Sequence, residues 1–356
     1  MKKLCFGIPT WNRGVKLERC IRTMIQQIME TNSTREVGIF VSDNCSDDST
    51  PLVLSKLSME FSGLVEVYRR PVHSANGHDN FEEVFRRTPS EYIWIFGDDD
   101  VLLPGGLNTV LNVLKNHQPA LIHAGHGWFK PHSLGIYSGT VLSFANRMGY
   151  NQLIGWITAI ILRRDVAHAM VSVPQWPTYK ECAFPQTCGV LHAAAYLPAI
   201  VIDHAIVEPM EAQTREDMER WAKTNTAWAY VLLIDSLKLL FESGRLREKL
   251  KPGFFKYLNY YLWDRFIVNM IASHVSDKPW PDKGWDNILL MAEMIDDQDT
   301  AKRIRSSVYS ARKLCEARTN FKAQLAGLDQ CLANIANETN KPVLPLAGFL
   351  EFNKNK

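Results

Sequence analysis

This sequence predicts an α/β fold: a mostly parallel sheet flanked by helices, followed by an all-helical C-terminal region. Three observations carry that reading. Over roughly the first hundred residues, short apolar runs alternate with stretches of helical period. Those runs end in polar, acid-rich loops, and beyond Thr214 helix formers dominate with almost no proline. Strands separated by helices need crossover connections, which pair the strands in parallel and cover both faces of the sheet.

The elements follow in chain order. Leu4 to Ile8 reads as a buried strand closed by Pro9, and Val15 to Met29 as a helix, with apolar or small residues at 17, 20, 21, 24, 25 and 28. Val37 to Val41 is a second strand, ended by the loop Ser42 to Thr50. Pro51 to Phe61 is a helix with proline suited to its first turn. Leu64 to Tyr68 is a third strand, Asn80 to Arg87 a helix, and Tyr92 to Phe96 a fourth strand running into Gly97-Asp98-Asp99-Asp100. Right-handed crossovers put all of these strand ends, and so all of these loops, on one edge, where open α/β sheets bind ligands. Further on, Ala120 to His123 and Ala159 to Arg163 look like strands. Glu216 to Glu242, Gly253 to Ser273, Trp285 to Asp296 and Ala301 to Asn334 look like helices.

The 356 residues are 46% hydrophobic and 22% charged, with 20 Gly and 17 Pro, which excludes collagen, coiled coil and a disordered chain. The length exceeds the roughly 250 to 300 residues at which one core stops growing. The expected organisation is a domain over 1–212 in two halves, 1–107 and 108–212, then a helical region over 213–336 and a loosely ordered tail over 337–356. A net charge of +2 does not point to a nucleic-acid partner. The seven cysteines are scattered without a CxxC pair or zinc spacing, as expected of reduced core thiols in the cytoplasm. No segment of secretory or membrane-spanning length is seen.

Three successive carboxylates, Asp98 to Asp100, want a compensating cation, and hard oxygen donors suit Mg²⁺ or Mn²⁺. A solvated turn before Pro104 is the alternative. The loop Asp43 to Asp48 belongs to the same edge, either as a second part of the site or as a turn stabilised by Asp, Asn and Ser. It is no EF-hand, because Cys45 stands at a ligand position and the glycine is missing. With Trp11 just after the first strand, the loops outline a site for a flat base, a ribose and a diphosphate held through metal. The aspartates ending the second and fourth strands are expected to meet around one cation. The chain has neither a G-x-x-x-x-G-K-[ST] loop nor a G-x-G-x-x-G turn after the first strand.

The runs Ile8-Pro9-Thr10-Trp11-Asn12-Arg13, Val41 to Asp48, Asn76-Gly77 with Asn80, and Trp94 to Pro104 resemble, in order and spacing, the family 2 glycosyltransferases of GT-A fold. Among these, the likeness is to bacterial enzymes of O-antigen and capsule assembly, abequosyltransferase-like members included; it fades beyond about Ile161. The resemblance implies a nucleotide-binding half over 1–107 and an acceptor half over 108–212. It implies that Trp11 lies beside the base, with Pro9, Thr10, Asn12 and Arg13 around the donor and Asp43 on the base or ribose. Asn76, Gly77 and Asn80 would flank the nucleotide, Asp98 would neighbour the ribose or diphosphate, and Asp99 with Asp100 would hold the metal. The sequence departs from the family at Ser42, where an acidic residue is usual, and at Gly97, where many members have the leading Asp of a DXD motif.

Glycosyl transfer needs a stabilised leaving group and a base for the acceptor hydroxyl; family members of this kind usually invert the anomeric centre. The family often places an acidic residue in a segment before a helix, which makes Glu181 the leading base candidate. Asp203 and Glu208, then His192 and His204, are alternatives. The other reading of Glu181 is an ion pair with Lys180, and His192 within an Ala-rich helix reads as a core histidine. Trp156 lines either the acceptor pocket or the core. Basic residues beside aromatics between Arg245 and Trp263 suit either packing or contact with an anionic inner-membrane surface.

The resulting expectation is a metal-dependent, inverting transferase. It would use a UDP, GDP, CDP or dTDP sugar and a glycan or lipid-linked glycan acceptor, with no nucleic acid involved. A binding module with a degraded active site, or a nucleotidyl or phosphoryl transferase on the same metal site, are the competing classes.

Overall fold

The computed structural model describes residues 1–127, 135–209, 227–257, 260–275 and 280–316. The first half alternates as the apolar pattern requires: β1 (Lys2–Thr10), α1 (Gly14–Glu30), β2 (Val37–Asp43), α2 (Thr50–Glu60), β3 (Val65–Arg69), α3 (Gly77–Arg87) and β4 (Ser90–Ile95). A short β5 (Asp100–Leu102), α4 (Gly106–Asn116), β6 (Leu121–His123), β7 (Ile136–Thr140), α5 (Val141–Met148) and α6 (Tyr150–Ile154) follow. Next come β8 (Ile160–Arg163), α7 (Arg164–Ser172), α8 (Trp176–Tyr179), α9 (Pro185–Ala194), β9 (Pro198–Ile202) and β10 (Val207–Pro209).

Eight strands form one sheet in the order β3-β2-β1-β4-β8-β6-β9-β7. β8 and β7 run against the other six, so the sheet is mixed but mostly parallel. Strand alternation sends Leu4, Phe6 and Ile8 with Trp94 to one face, beneath α1, α2 and α4. Ile93 and Ile95 go to the other face, beneath α3, α7 and α9. All six positions of the expected stripe on α1 are buried. Gly7 has no side chain to hold α3 away from β1; a Cβ there would strike Val84.

The C-terminal helices are α10 (Ala227–Glu242), α11 (Leu262–Val275), α12 (Lys283–Met294) and α13 (Gln298–Glu316). They share one continuous buried cluster with the α3 face of the sheet, from Val84 and Ile95 through Leu191 to Leu237, Trp263, Met291 and Ile304. The single helix expected over 253–273 is instead a 3₁₀ turn, Pro252–Phe255, then a tight pairing of Lys256–Tyr257 with Tyr260–Tyr261, and only then α11. Tyrosines there satisfy strand pairing better than helix. Phe254, Phe255 and Trp263 are fully buried, as the packing alternative requires, while Arg245, Arg247, Lys249 and Lys251 stay exposed. The parts of the expected helices over 216–226 and 317–334, and the tail from 337, lie outside the described residues.

Among the described residues no helix is long and apolar enough to cross a membrane, and six cysteines are free, four of them buried.

Candidate active site

The chain leaves β1 to build β2 and β3 on one side, then returns to lay β4 on the other. The C-terminal ends of β1 and β4 therefore form a switch point, the position at which open α/β sheets leave a crevice. Thr10 ends β1, and its hydroxyl donates to Asp98 Oδ2 at 2.7 Å. The loop after β1 is clasped to the loop after β2. The Asn12 N–H donates to Ser46 Oγ (2.9 Å), the Asn12 amide to Asp47 Oδ1 (2.7 Å), and the Asp47 N–H back to Asn12 Oδ1 (3.0 Å). Asn12 and Cys45 both hold left-handed backbone conformations, φ 53° and 60°, on either side of this clasp. For Cys45 that is a strained choice.

The three aspartates differ in surroundings. Asp98 is buried, faces the Thr10 hydroxyl and lies 3.8 Å from Arg13 Nη1; Asp99 is half-exposed and receives the Arg13 guanidinium. Asp100 is turned away from both. Its carboxyl accepts from the Thr158 hydroxyl, which in turn accepts the Gly97 N–H at 2.9 Å. A side chain at Gly97 would collide with this Asp100 carboxyl, which is a physical reason for glycine where the family motif often has Asp. Burial pushes Asp98 up to about 6 against the pull of Arg13, and Asp100 up to about 7 against the Thr158 hydrogen bond. Both carboxyls are thus short of positive charge.

Asp43 pairs in register with Thr10, but β1 stands between it and Asp98. The two aspartates share one edge, joined through Thr10, whose hydroxyl donates to Asp98. Asp43 Oδ1 accepts the Ser46 N–H (2.9 Å); the buried Oδ2 lies 3.7 Å from Arg69 Nη1 and has no hydrogen-bond donor among the described residues. Ser42, where the family usually has an acid, donates to Asn80 Oδ1 (2.7 Å), and the Asn80 amide donates to the carbonyls of Ser42 (2.9 Å) and Thr10 (3.3 Å). Both departures from the family pattern have structural partners.

Trp11, 43% exposed, stacks on His73 with ring centroids 4.5 Å apart. Asn44 holds that loop by reciprocal hydrogen bonds with Ser74 (2.8 and 3.0 Å), and its carbonyl meets His73 Nδ1 at 3.2 Å. The Asn76 side chain caps α3 through the His78 N–H, and Gly77 opens that helix. Pro9 lies in β1, paired in register with Ser42.

On the acceptor side, Glu181 is exposed in the turn before α9. The segment is fastened to α3. Lys180 Nζ reaches Asp79 (2.7 Å) and Glu82 (3.0 Å), and the Lys180 carbonyl lies 2.8 Å from His78 Nδ1. Lys180 is thus committed to α3. Glu181 is near enough to His78 for its charge to favour the imidazolium, although burial is the larger influence and lowers that pKa. Gln186, the second residue of α9, donates to the Gly155 carbonyl (2.9 Å), which ties the turn to the Trp156 loop. Trp156 packs edge-on against His126, which packs edge-on against His123; burial drops His126 to about 4 and His123 to about 3. Asp203 is buried at the end of β9, and Glu208 is exposed on β10 opposite Val101 of β5. His204 is half-buried. His192 is bound to the Tyr179 hydroxyl (3.0 Å), the core role expected of it.

Thr158, His73 and Arg69 are absent from the sequence reading of the site. Arg69 and His73 follow the C-terminal end of β3, so their place on the ligand edge was available as a signal. Thr158 lies in the 3₁₀ turn Ile157–Ala159 before β8 and carried none.

Among the described residues no three His, Cys, Asp or Glu side chains are gathered as a ready-made metal cage. A divalent ion that keeps positions for phosphate needs only one or two carboxylates. Asp98 and Asp99, both beside Arg13, fit that lesser demand.

The α/β sheet with its acidic loop at the switch point has the fold of the GT-A glycosyltransferases. Residues 5–161 match the family described as Glycosyl transferase family 2. It is 28% identical over 127 residues to the poly(ribitol-phosphate) beta-N-acetylglucosaminyltransferase TarP of Staphylococcus aureus (strain N315), covering 36% of this chain and 37% of that protein. It is 29% identical over 104 residues to the abequosyltransferase RfbV of Salmonella typhimurium (strain LT2), covering 29% and 30%. These matches span about a third of each relative's length. In fold, the chain is similar to the mannosyltransferase PcManGT of Pyrobaculum calidifontis, solved in complex with GDP-Man and Mn²⁺. The TM-score is 0.55 at 12% identity, covering 98% of this chain and 82% of that one.

Proposed function

We propose that this chain moves a sugar from a nucleotide-sugar donor to a hydroxyl of a bacterial surface glycan, free or lipid-linked, by a metal-dependent inverting displacement in the cytoplasm. The observation that carries the reading is the Thr10 to Asp98 hydrogen bond at the switch point, with Arg13 joining Asp98 to Asp99 beside it. One position would take the diphosphate. The other, a strand away, pairs a buried acceptor oxygen on Asp43 with the open face of Trp11 and would take the nucleoside.

Trp11 and His73 would stack on the base, and Asp43 Oδ2 would accept a base N–H or a ribose hydroxyl. Asp98 and Asp99 would hold Mn²⁺ or Mg²⁺, which when bound supplies Lewis-acid stabilisation of the departing diphosphate. Asp100, through Thr158 and Gly97, would fix the loop from beneath. Glu181 would take the proton of the acceptor hydroxyl, its turn held by Lys180 on α3 and Gln186 on the Trp156 loop. Trp156 would line the acceptor side. The free buried cysteines support a reducing compartment.

The test is thermal-shift screening against UDP, GDP, CDP and dTDP with and without Mn²⁺, followed by product analysis with the matching sugar nucleotides. The expected result is stabilisation by one diphosphate that depends on Mn²⁺, then release of that diphosphate with the sugar transferred. Binding without turnover of any donor would favour a degraded module. Release of pyrophosphate would favour nucleotidyl transfer.

A further inference from the structure

The Arg13 guanidinium occupies the space that a cation on Asp98 and Asp99 would need. It is bound to Asp99 Oδ2, and Nη1 is 3.8 Å from Asp98 Oδ1. Its backbone is fixed independently. The Arg13 N–H donates to Thr50 Oγ1 (3.0 Å), and its carbonyl accepts the Leu17 N–H (2.9 Å) that opens α1.

Its position in the helix adds a second argument. Arg13 is the N-cap residue of α1, makes no side-chain cap hydrogen bond, and is followed by a first turn with no acidic residue. A cation at the positive end of a helix dipole is unfavourable unless an anion neutralises it. The free protein supplies that anion from Asp99. A bound diphosphate would supply a better one, because a guanidinium matches phosphate oxygens through paired hydrogen bonds and a helix N-terminus favours the same charge.

Resting on the metal-dependent reading above, we infer that Arg13 is a resident counter-ion handed from Asp99 to the donor diphosphate, so that metal and nucleotide each free the partner the other requires. With the donor bound, Arg13 leaves the carboxylates and the divalent ion takes its place. Without the donor, Arg13 competes with the ion. The coupling is reciprocal, as any coupling between two binding equilibria must be. It would keep the site from loading metal ahead of substrate.

The experiment is a double-mutant cycle on the full chain with UDP, GDP, CDP and dTDP as probes. Diphosphate affinity is read by calorimetry in EDTA, and Mn²⁺ affinity by the electron paramagnetic resonance signal of the free ion. In EDTA, Asp99→Asn should bind the preferred diphosphate about tenfold more tightly than wild type, within the usual range of such couplings. That gain should vanish in Arg13→Gln/Asp99→Asn, since there is no guanidinium left to release. A gain of equal size in the Arg13→Gln background would be general charge removal and would overturn the inference, as would no gain at all. In the metal arm, Arg13→Gln should bind Mn²⁺ alone more tightly than wild type. Arg13→Lys, which keeps the charge and tests whether the fold tolerates change here, should fall between the two. Mn²⁺ binding to wild type with diphosphate, but no tighter to Arg13→Gln alone, would leave the metal reading standing and remove the hand-over. No Mn²⁺ binding to any form would remove both.

Discussion

The strand edge that carries the acidic loops, proposed for the donor, and the side that carries Glu181, proposed for the acceptor, are built differently. At the donor edge, each functional loop directly follows a strand of its own: Thr10 to Arg13 after β1, Asp43 to Asp48 after β2, Asp98 to Asp100 after β4. Hydrogen bonds such as the Asn12 to Asp47 clasp join loops that parallel pairing has already set side by side. On the acceptor side, Glu181, Trp156 and His126 come from connections around short, partly reversed strands. They are held by α3, α9 and a core shared with the C-terminal helices. The acidic edge is a property of strand order, and the side that carries Glu181 is a property of helix packing. Changes on the donor edge should therefore act on binding and metal use, and changes on the acceptor side on turnover.

The largest effect expected is on the acceptor side. Glu181→Gln should lower kcat by about 10³, within the usual range for loss of a general base, while leaving diphosphate affinity intact. An unchanged kcat would move the base to Asp203 or Glu208. Next, Asp99→Asn should lower the Mn²⁺-supported rate by about 10², the scale of losing one electrostatic contact to developing charge. Chelation should then cost the variant little more, and steady-state rates with and without EDTA measure this.

The third prediction separates folding on the two sides. His123 and His126 are held neutral by burial, with pKa values of about 3 and about 4 against an ordinary value of 6.5. Their contribution to stability is present above pH 6.5 and is lost as pH falls toward 4, because the unfolded chain takes up protons that the folded one refuses. The slope is about 1.4 kcal/mol per pH unit for each ring. Denaturant titrations between pH 7 and 4 should show a shallower acid decline in His126→Gln than in wild type. The smallest effect is on the nucleotide platform. Trp11→Ala should raise the donor KM about tenfold, the worth of one base-aromatic stack, with kcat nearly unchanged. An equal fall in kcat would mean that Trp11 also orders the loop carrying Arg13.

Legibility followed the same division. The donor residues Thr10, Trp11, Asp43 and Asp98 stand next to strong strand patterns, so topology alone assigns them to one edge. Asp100 could not be separated from Asp98 by sequence, because its turn toward Thr158 depends on a residue 58 positions away. Ser42 and Gly97 looked like defects until Asn80 and the Asp100 carboxyl supplied their partners. The helix expected through 253–273 failed at its start, where the pairing of 256–257 with 260–261 replaced helical structure.

By itself, the chain's order of apolar and polar residues determined the strands, the crossovers and thus the edge that carries the acidic loops, because period and connection handedness are local properties. Only the tertiary structure decided which carboxylate faces which cation, and that Lys180 serves α3 rather than Glu181. Those choices depend on side-chain directions and burial, which arise only when distant segments pack.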